Sequence, residues 1–452
     1  MTPEEQPVLF SPAEALAANE IPAAPTAPPP APRYHRPERL QGEMRCESLD
    51  QRLDADHPAR VIWKLVEGLN LSCLYERIRA VEGQAGRNPS DPRVLFALWL
   101  YACTQGVGSA RQLDVLCREH RAYEWLRGGV SVNYHLLADF RVNHQDLLDQ
   151  LLTESLAGLL QEGLIELTCA AQDGMRVRAS AGTSSFTRQP KLEESLQEAR
   201  AHVEKLRVES ENDAAGVTQR QKKARERAAR EKVERIEKAL EHVKEIALQR
   251  EARKKGAGPA ARASTTDPEA RNMKMPDSGF RPGYNAQFAT DTKSGIILGV
   301  DVTNQGTDAG LMKPMVEQIE ERLGQRPEQL LTDGGFATIE DIEQTTVAGT
   351  TVFTPIKQAK QQIAEGKDPY APKPGDSATI EEWRKRMGTD LAKSIYKLRA
   401  QTAELTNARM RNQGMYQVKV RGLAKVKTVL LWYALALNLL RAEALRAEVA
   451  QR

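Results

Sequence analysis

Residues 391 to 441 constrain the fold of this chain more than any other stretch. They predict one long helix, a break near Gly414 and Gly422, and a second helix. The second helix carries apolar residues at helical spacing, namely Val426, Val429, Leu430, Tyr433, Leu437 and Leu440. This spacing predicts a core helix rather than a binding helix, so the second helix should anchor the first to a domain.

The first helix places charged residues on one stripe. Positions seven or eleven apart return to nearly the same helical face, which aligns Lys393, Lys397, Glu404 and Arg411. A lone acid among cations is usually part of a solvated, salt-bridging face. The alternative is a metal-binding glutamate whose cationic neighbours hold a phosphate backbone. Because one carboxylate cannot hold a divalent metal, that alternative requires acids upstream.

Composition limits the chemistry. A chain of 452 residues suggests two or three domains. Lys and Arg total 64 against 61 acids, so a nucleic-acid surface must come from local clustering. The five scattered cysteines argue against a disulfide framework and a zinc site, and they fit a reducing cytoplasm. All seven histidines lie at or before His242, so chemistry beyond it must use carboxylates.

Neither a membrane span nor a secretory leader is expected, because no run of 18 apolar residues and no basic-then-apolar leader is present. Residues 1–38 are rich in Pro and Ala and predict a disordered tail. Residues 45–164 predict short helices joined by tight turns. The expected N-caps are Asp91, which precedes Pro92, and Ser109, Ser131 and Asn143.

Short helices with Gly and Ser turns are compatible with a helix-turn-helix DNA-binding domain. In that interpretation one helix offers Asn133, His135 and Arg141 to a DNA groove. A plain helical bundle has the same pattern, so both interpretations stay open at this point.

Around residue 170 the apolar period changes from helical to alternating. One face of the stretch LTCAAQDGMRVRAS carries Leu167, Cys169, Ala171, Asp173, Met175 and Val177. An acid among apolar neighbours is costly unless it is paired or holds a metal. The alternative is that Asp173 and Gly174 form a turn between two hairpin strands.

Residues 190–256 predict an antiparallel helical hairpin, because two charged runs carry apolar seams with ENDAAG between them. The seams are Leu192, Leu196, Ala199, Val203 and Leu206, then Ala229, Val233, Ile236, Leu240, Val243 and Ala247. A single solvated helix is the alternative.

The remaining chain alternates strands and helices. Two hairpin strands, YNAQFATDT and IILGVDVTN, precede a helix and the short strand EQLLTDGGF, which ends at Asp333. Active-site groups favour the carboxyl end of a strand in open α/β sheets. A helix, a strand and the Glu404 helix follow. This is the element order of an RNase H-like fold in which Asp173, Asp333 and Glu404 converge. The predicted fold is therefore α/β, with an RNase H-like domain at 165–441, the hairpin inserted, and an all-α helix-turn-helix-like domain before it.

These residues carry a family resemblance. The matching stretches are QDGMRVRASAG, STTDPEA with GFRPGYNAQFATD, LLTDGGFATIEDIE, and YKLRAQTAE with VRGLAKVKTVLLWYALALNLL. From about residue 45 to 441 the sequence resembles bacterial insertion-sequence transposases of the DDE class. Related transposases often place three residues between the Arg and the Glu and six between that Glu and a Lys. Here four residues separate Arg399 from Glu404, and Arg411 stands at the later position.

The resemblance implies that Asp173, Asp333 and Glu404 are the catalytic, metal-binding acids, which suit two Mg²⁺ ions with Mn²⁺ as a possible substitute. Such a site activates a water or a DNA 3′-hydroxyl for in-line attack on a phosphodiester. The implied DNA contacts are Tyr396 and Arg399 and the cations Lys393, Lys397, Arg411 and Arg421.

The implied function is cleavage of the element's terminal inverted repeats and their transfer to target DNA, by a homodimer on paired ends in the bacterial cytoplasm and at the nucleoid. Two rivals remain on sequence alone. One is a carboxylate-dependent nuclease of the same fold that cuts without joining. The other is a non-catalytic DNA-binding regulator with a coiled-coil arm, for which the acids are dispensable.

Overall fold

The computed structural model describes residues 46–80, 88–212 and 219–451. The Pro/Ala-rich segment 1–38 and most of the turn between the two charged runs lie outside the described residues. Within the described residues, seven α-helices precede the first strand of the sheet. They are α1 Pro58–Glu67, α2 Ser72–Tyr75, α3 Pro92–Thr104, α4 Ala110–Glu119, α5 Arg121–Arg127, α6 Tyr134–Val142 and α7 Gln145–Gln161.

Two of the four expected N-caps are confirmed. The side chain of Asp91 accepts a hydrogen bond from the first turn of α3, and that of Ser109 does the same for α4. The other two caps were wrong. Asn133 caps α6 in place of Ser131, and α7 begins after His144 without a side-chain cap.

The strands form one six-stranded sheet and one two-stranded pair. They are β1 Cys169–Arg178, β2 Phe186–Thr187, β3 Ala263–Ser264, β4 Arg271–Lys274, β5 Phe280–Asp291, β6 Ile297–Thr303, β7 Gln329–Leu331 and β8 Thr351–Phe353. In the larger sheet the order is β4-β5-β1-β7-β8, and β6 also pairs with β5. Strand β1 is therefore central. It runs antiparallel to β5 and parallel to β7, and β8 is parallel to β7.

Strand β1 continues through Asp173 and Gly174, which pair with Phe288 and Gln287 of β5. The strand interpretation of this stretch is thus confirmed, and the alternative of an Asp-Gly hairpin turn is wrong.

The helices after α7 are interspersed with the strands along the chain. They are α8 Gln189–Asn212, α9 Gln219–Arg253, α10 Met312–Leu323, α11 Ile339–Val347, α12 Ala359–Ala364, α13 Ala378–Met387, α14 Asp390–Arg399, α15 Leu405–Asn412 and α16 Leu423–Ala450. Between α14 and α15 the helix continues through one wide π-helical turn, Ala400–Glu404. The predicted long helix, break and second helix are therefore present.

Helix α16 lies at the centre of the main hydrophobic core, as its apolar spacing predicts. The ring of Trp432 lies 4.5 Å from that of Phe96 in α3, and its indole N–H donates to the Arg141 carbonyl at 3.0 Å. On the sheet side, Asn438 accepts from the backbone N–H of Ile297 and donates to its carbonyl. One helix thus joins the N-terminal helices to the sheet. By length and composition α16 could cross a membrane, but 67% of its most apolar window is buried inside the protein.

Helices α8 and α9 pack against each other over a second, smaller apolar cluster. Its buried members include Leu192, Ala199, Ile236 and Val243, all of which belong to the two predicted seams. An ion pair of 2.7 Å joins Arg200 to Glu237 across the pair. The chain enters α8 directly after β2 and reaches β3 soon after α9, and β2 and β3 pair with each other. The helix pair therefore leaves and rejoins the rest of the chain at one narrow place.

Candidate active site

Two parallel strands bring the first two predicted acids together. Ala171 of β1 pairs with Leu331 of β7, and Asp173 and Asp333 each lie two residues further along. Because parallel strands keep their register, both acids come to the same edge of the sheet. Asp173 is still within β1 and its side chain is only 15% exposed, whereas Asp333 has left β7 and its side chain is 42% exposed.

Short hydrogen bonds orient the two aspartates. The Asp333 carboxylate accepts a hydrogen bond from the backbone N–H of Gly335 at 2.7 Å. The backbone carbonyl of Asp333 accepts one from the Thr354 hydroxyl at 2.9 Å. The Asp173 carboxylate accepts from the side-chain amide of Asn407 at 2.9 Å. The amide oxygen of Asn407 is buried without a partner. Neither aspartate is free to rotate without losing one of these bonds.

The wide turn sets the direction of Glu404. Arg399 and Glu404 are five residues apart, which in a regular α-helix turns the second residue well past the face of the first. A π-helical turn closes its hydrogen bond between residues i and i+5 and so holds one more residue than an α-helical turn, and such turns are frequent at functional sites. The turn at Ala400–Glu404 therefore absorbs the extra residue, and Glu404 returns to the face of Arg399.

All three predicted acids meet one guanidinium group. The Nη2 atom of Arg399 lies 3.3 Å from Asp173 and 4.0 Å from Asp333, and its Nη1 atom lies 3.5 Å from Glu404. Glu404 is the most open of the acids, with 63% of its side chain exposed. Residues from a central strand, a strand end and a helix thus converge, as the element order predicts.

Burial dominates the electrostatics of Asp173. It raises the pKa of this carboxyl above its ordinary value, and the attraction of Arg399 only partly offsets it, while the negative charge of Asp333 adds to it. The positive charge of Arg399 is therefore the largest influence that lowers the pKa of Asp173.

Sequence reasoning missed a fourth carboxylate. Asp308 follows β6 and forms an ion pair with Arg176 at 2.9 Å. Its carboxylate also accepts hydrogen bonds from the side-chain amides of Asn285 and Gln287, each at 2.7 Å. Burial would raise the pKa of Asp308, but the hydrogen bonds from Arg176 and Asn285 outweigh it, and the pKa is lowered. This carboxylate is therefore already paired. The polar alternation of Asn285 and Gln287 within an apolar strand was the signal that could have found it.

This cluster also explains the glycine after Asp173. A Cβ atom at Gly174 would lie 2.3 Å from the Asp308 carboxylate and 2.5 Å from the Gln287 amide, distances that real Cβ atoms do not adopt. Only glycine lets the Asp308 network approach β1 this closely.

The predicted DNA-contacting residues of α14 and beyond differ in their exposure. Lys393, Lys397, Arg411 and Arg421 are exposed, and Lys393 pairs with Asp390 at 2.9 Å. Tyr396 is half-buried, and burial raises the pKa of its hydroxyl. Arg399 is only 13% exposed and faces the acids, not solvent.

The predicted groove-reading residues of the N-terminal helices are not equivalent. Asn133 and His135 are exposed, although the Asn133 oxygen is already used as the cap of α6. Arg141 is buried, with its guanidinium 4.8 Å from the Trp99 ring centre and bonded to the Gly108 carbonyl. Burial therefore leaves Arg141 no surface to offer to a DNA groove in this structure.

The donor set fits a divalent cation chemically, because three carboxylates supply the hard oxygen ligands that Mg²⁺ and Mn²⁺ take in proteins. As the side chains stand, no three acids, histidines or cysteines within the described ranges are close enough to hold one ion. Arg399 lies among the three acids and supplies the positive charge there.

Two family models match the chain. Residues 258–439 match the transposase DDE domain, and residues 47–143 match a transposase domain known as DUF772. The first match contains Asp333 and Glu404 and begins after Asp173 and the α8–α9 pair. No curated protein and no solved structure matches the chain. The DDE domain implies an RNase H-like fold and the use of divalent metal ions, and DNA is the substrate. The chain belongs to the insertion-sequence transposases of the DDE class, which are metal-dependent enzymes that cleave and join DNA.

Proposed function

We propose that Asp173, Asp333 and Glu404 are the catalytic carboxylates of this transposase. The observation that carries the proposal is their convergence on one guanidinium from three separate elements. Three acids around one partly buried cation repel one another, so this arrangement suits a larger positive charge than a single guanidinium.

The three acids would hold two Mg²⁺ ions, with Mn²⁺ as a substitute. When bound, the ions supply activation of the attacking oxygen and stabilisation of the leaving oxygen at a phosphodiester. The chain's own groups orient the ligands: Asn407 holds Asp173, and the N–H of Gly335 holds Asp333. Such outer contacts fix the direction of ligand oxygens and commonly affect metal affinity strongly.

The DNA backbone would cross the exposed face of α14 and α15. Lys393, Lys397 and Arg411 are exposed on these helices, and Arg421, also exposed, lies just before α16. Their charges suit phosphates, whose contacts position DNA without reading its sequence. The half-buried Tyr396 would stack on a base or contact a phosphate.

We assign residues 165–441 to an RNase H-like catalytic domain with the α8–α9 pair inserted as an antiparallel hairpin. The central β1, with antiparallel strands on one side and parallel strands on the other, supports this assignment. Residues 45–164 would form a helix-turn-helix-like domain that binds the terminal inverted repeats, with the exposed Asn133 and His135 toward DNA. The active species would be a homodimer on paired ends, acting on target DNA in the bacterial cytoplasm at the nucleoid.

The test is cleavage of end DNA by purified full-length protein with Mg²⁺. We expect Asp173→Asn, Asp333→Asn and Glu404→Gln each to abolish cleavage while leaving end binding in EDTA near that of the unaltered protein, since each change removes a metal ligand but no DNA contact. The matched control is Glu328→Gln, an exposed acid immediately before β7 at the end opposite Asp333, which should cleave normally.

Normal cleavage by any of the three variants would remove that residue from the site. The same reactions contain target DNA, and joined products separate a transposase from a nuclease of the same fold.

A further inference from the structure

Arg399 is the only described Lys or Arg that forms an ion pair with any of the three acids. Its side chain is 13% exposed, so the guanidinium is largely withdrawn from solvent. A cation in this position lowers the repulsion among three carboxylates that would otherwise face one another in a poorly solvated place.

The contacts of Arg399 are nonetheless loose. Its distances to the acids are 3.3, 3.5 and 4.0 Å, against about 2.7–2.9 Å for a strong charge-assisted hydrogen bond. Its Nε atom is buried without a hydrogen-bond partner. By contrast, Arg176 holds Asp308 with both terminal nitrogens, at 3.0 and 2.9 Å. Arg399 therefore contacts all three acids but makes no short, two-nitrogen ion pair with any of them.

We propose that Arg399 is the counter-ion of the catalytic carboxylates before DNA and metal arrive, and that it exchanges the acids for a DNA phosphate as metal binds. A guanidinium and a divalent cation cannot both neutralise the same oxygens, so Arg399 competes with metal in the free protein. A phosphate offers the planar guanidinium a two-pronged partner that these acids do not. DNA and metal therefore bind cooperatively, and Arg399 couples them.

The coupling is reciprocal by thermodynamic necessity. If DNA tightens metal binding by drawing Arg399 away, metal must tighten DNA binding by the same factor. The free protein would then bind metal weakly until an end is in place, which would keep the phosphodiester chemistry confined to the DNA-bound enzyme.

This inference rests on the proposed role of the three acids, and its test does not depend on catalysis. Mn²⁺ binding to the full-length protein without DNA is measured by the electron paramagnetic resonance signal of the free ion. We expect Arg399→Gln to bind Mn²⁺ about 10-fold more tightly than the unaltered protein, since couplings of this kind are commonly 5- to 150-fold. Arg399→Lys keeps the charge and should stay close to the unaltered protein.

The matched control is Arg409→Gln. Arg409 is exposed on α15, which continues from α14 through the π-helical turn, and its replacement should leave Mn²⁺ binding unchanged. In the second arm, the affinity for a duplex carrying an already cleaved end is measured with and without Mn²⁺. Mn²⁺ should tighten this binding for the unaltered protein, and the gain should largely vanish in Arg399→Gln.

Equal Mn²⁺ affinity in Arg399→Gln and the unaltered protein, with both folded by circular dichroism, would overturn the inference. If Arg399→Gln does not fold, the DNA arm with Arg399→Lys decides, because lysine cannot make the two-pronged phosphate contact. A gain from Mn²⁺ as large in Arg399→Lys as in the unaltered protein would then overturn the inference. Asp173→Asn in the same assay separates the two proposals. Unchanged Mn²⁺ binding there would refute the proposed acids, whereas lost binding together with an unresponsive Arg399→Gln would refute the role of Arg399 alone.

Discussion

The region around α16 and the α8–α9 pair both bury the apolar faces of helices, but the hydrophobic cluster around α16 is much larger. The main cluster takes in buried residues from Leu53 to Leu445 and includes the N-terminal helices and the sheet, but not the α8–α9 pair. Among the described residues, the α8–α9 cluster has eight buried members, and the exposed positions of the two helices are mostly charged. We therefore expect changes in the first region to disturb the site and changes in the second to leave it largely intact.

The largest effect is expected from Trp432→Ala. This side chain is 1% exposed, packs on Phe96 and donates to the Arg141 carbonyl, so its removal leaves a cavity and an unpaired carbonyl. The free energy of unfolding should fall by about 3–5 kcal/mol. Urea denaturation followed by far-ultraviolet circular dichroism measures it.

Leu391→Ala is the control for this change, because Leu391 is 70% exposed and its loss should shift the unfolding free energy by less than about 0.5 kcal/mol. A loss below about 1 kcal/mol for Trp432→Ala would mean that the two halves of the main core do not depend on each other.

The second effect is local. Ile236 is 1% exposed within the α8–α9 cluster, and Ile236→Ala should destabilise that pair by about 2–4 kcal/mol. Hydrogen exchange read by mass spectrometry should show lost protection in α8 and α9 and unchanged protection in β1 and β5. Faster exchange in the sheet as well would merge the two regions into one cooperative unit.

A third change removes the α8–α9 pair altogether. Replacing residues 191–255 with a short Gly/Ser linker should leave the rest folded, because β2 and β3 already hold the two ends together. Assembly of the paired-end complex should weaken if the pair reaches the other subunit or its DNA, which native gels over a range of protein concentrations measure. If the shortened protein unfolds, the α8–α9 pair is part of the core. If the shortened protein still pairs ends at the normal protein concentration, the pair has another role.

The smallest effect is expected at the surface of the main region. Arg446 of α16 holds Glu162, beyond α7, with two contacts of 2.8 Å, and both side chains are 40% exposed or more. Arg446→Ala should cost less than about 1 kcal/mol at neutral pH. Thermal unfolding across pH measures this difference.

The sign of the pH dependence follows from Glu162. The hydrogen bond from Arg446 lowers the pKa of Glu162 below its ordinary value of 4.5. Stability from this pair is therefore present above pH 4.5 and is lost as the pH falls through the lowered pKa. A difference between the two proteins that persists below that range would come from packing of the arginine stem instead.

Sequence reasoning succeeded where a signal is local. The caps Asp91 and Ser109, the strand through Asp173, the acid after β7 and the apolar spacing of α16 each follow from a few neighbouring residues. The convergence of the three acids needed only the order of the elements, because parallel register then places Asp173 beside Asp333.

It failed where partners are distant in the chain. Asp308 is held by residues of β1 and β5, and the Arg141 side chain packs on Trp99 of α3 and bonds to the carbonyl of Gly108, 33 residues away. The cap of α6 was misplaced by two residues because Ser131 and Asn133 are both good caps, and packing decided between them. The direction in which Arg399 points depends on acids that only the folded chain brings within reach.

The wide turn at Ala400–Glu404 also matters for comparing this chain with its relatives. In a regular helix, one added residue rotates everything beyond it by about 100° and carries a functional group to the wrong side. Here the added residue changes the local pitch instead, so an alignment that opens a one-residue gap between Arg399 and Glu404 is structurally sound. In this chain the added residue therefore leaves Glu404 within 3.5 Å of Arg399, so the spacing between the two residues does not by itself decide whether they meet.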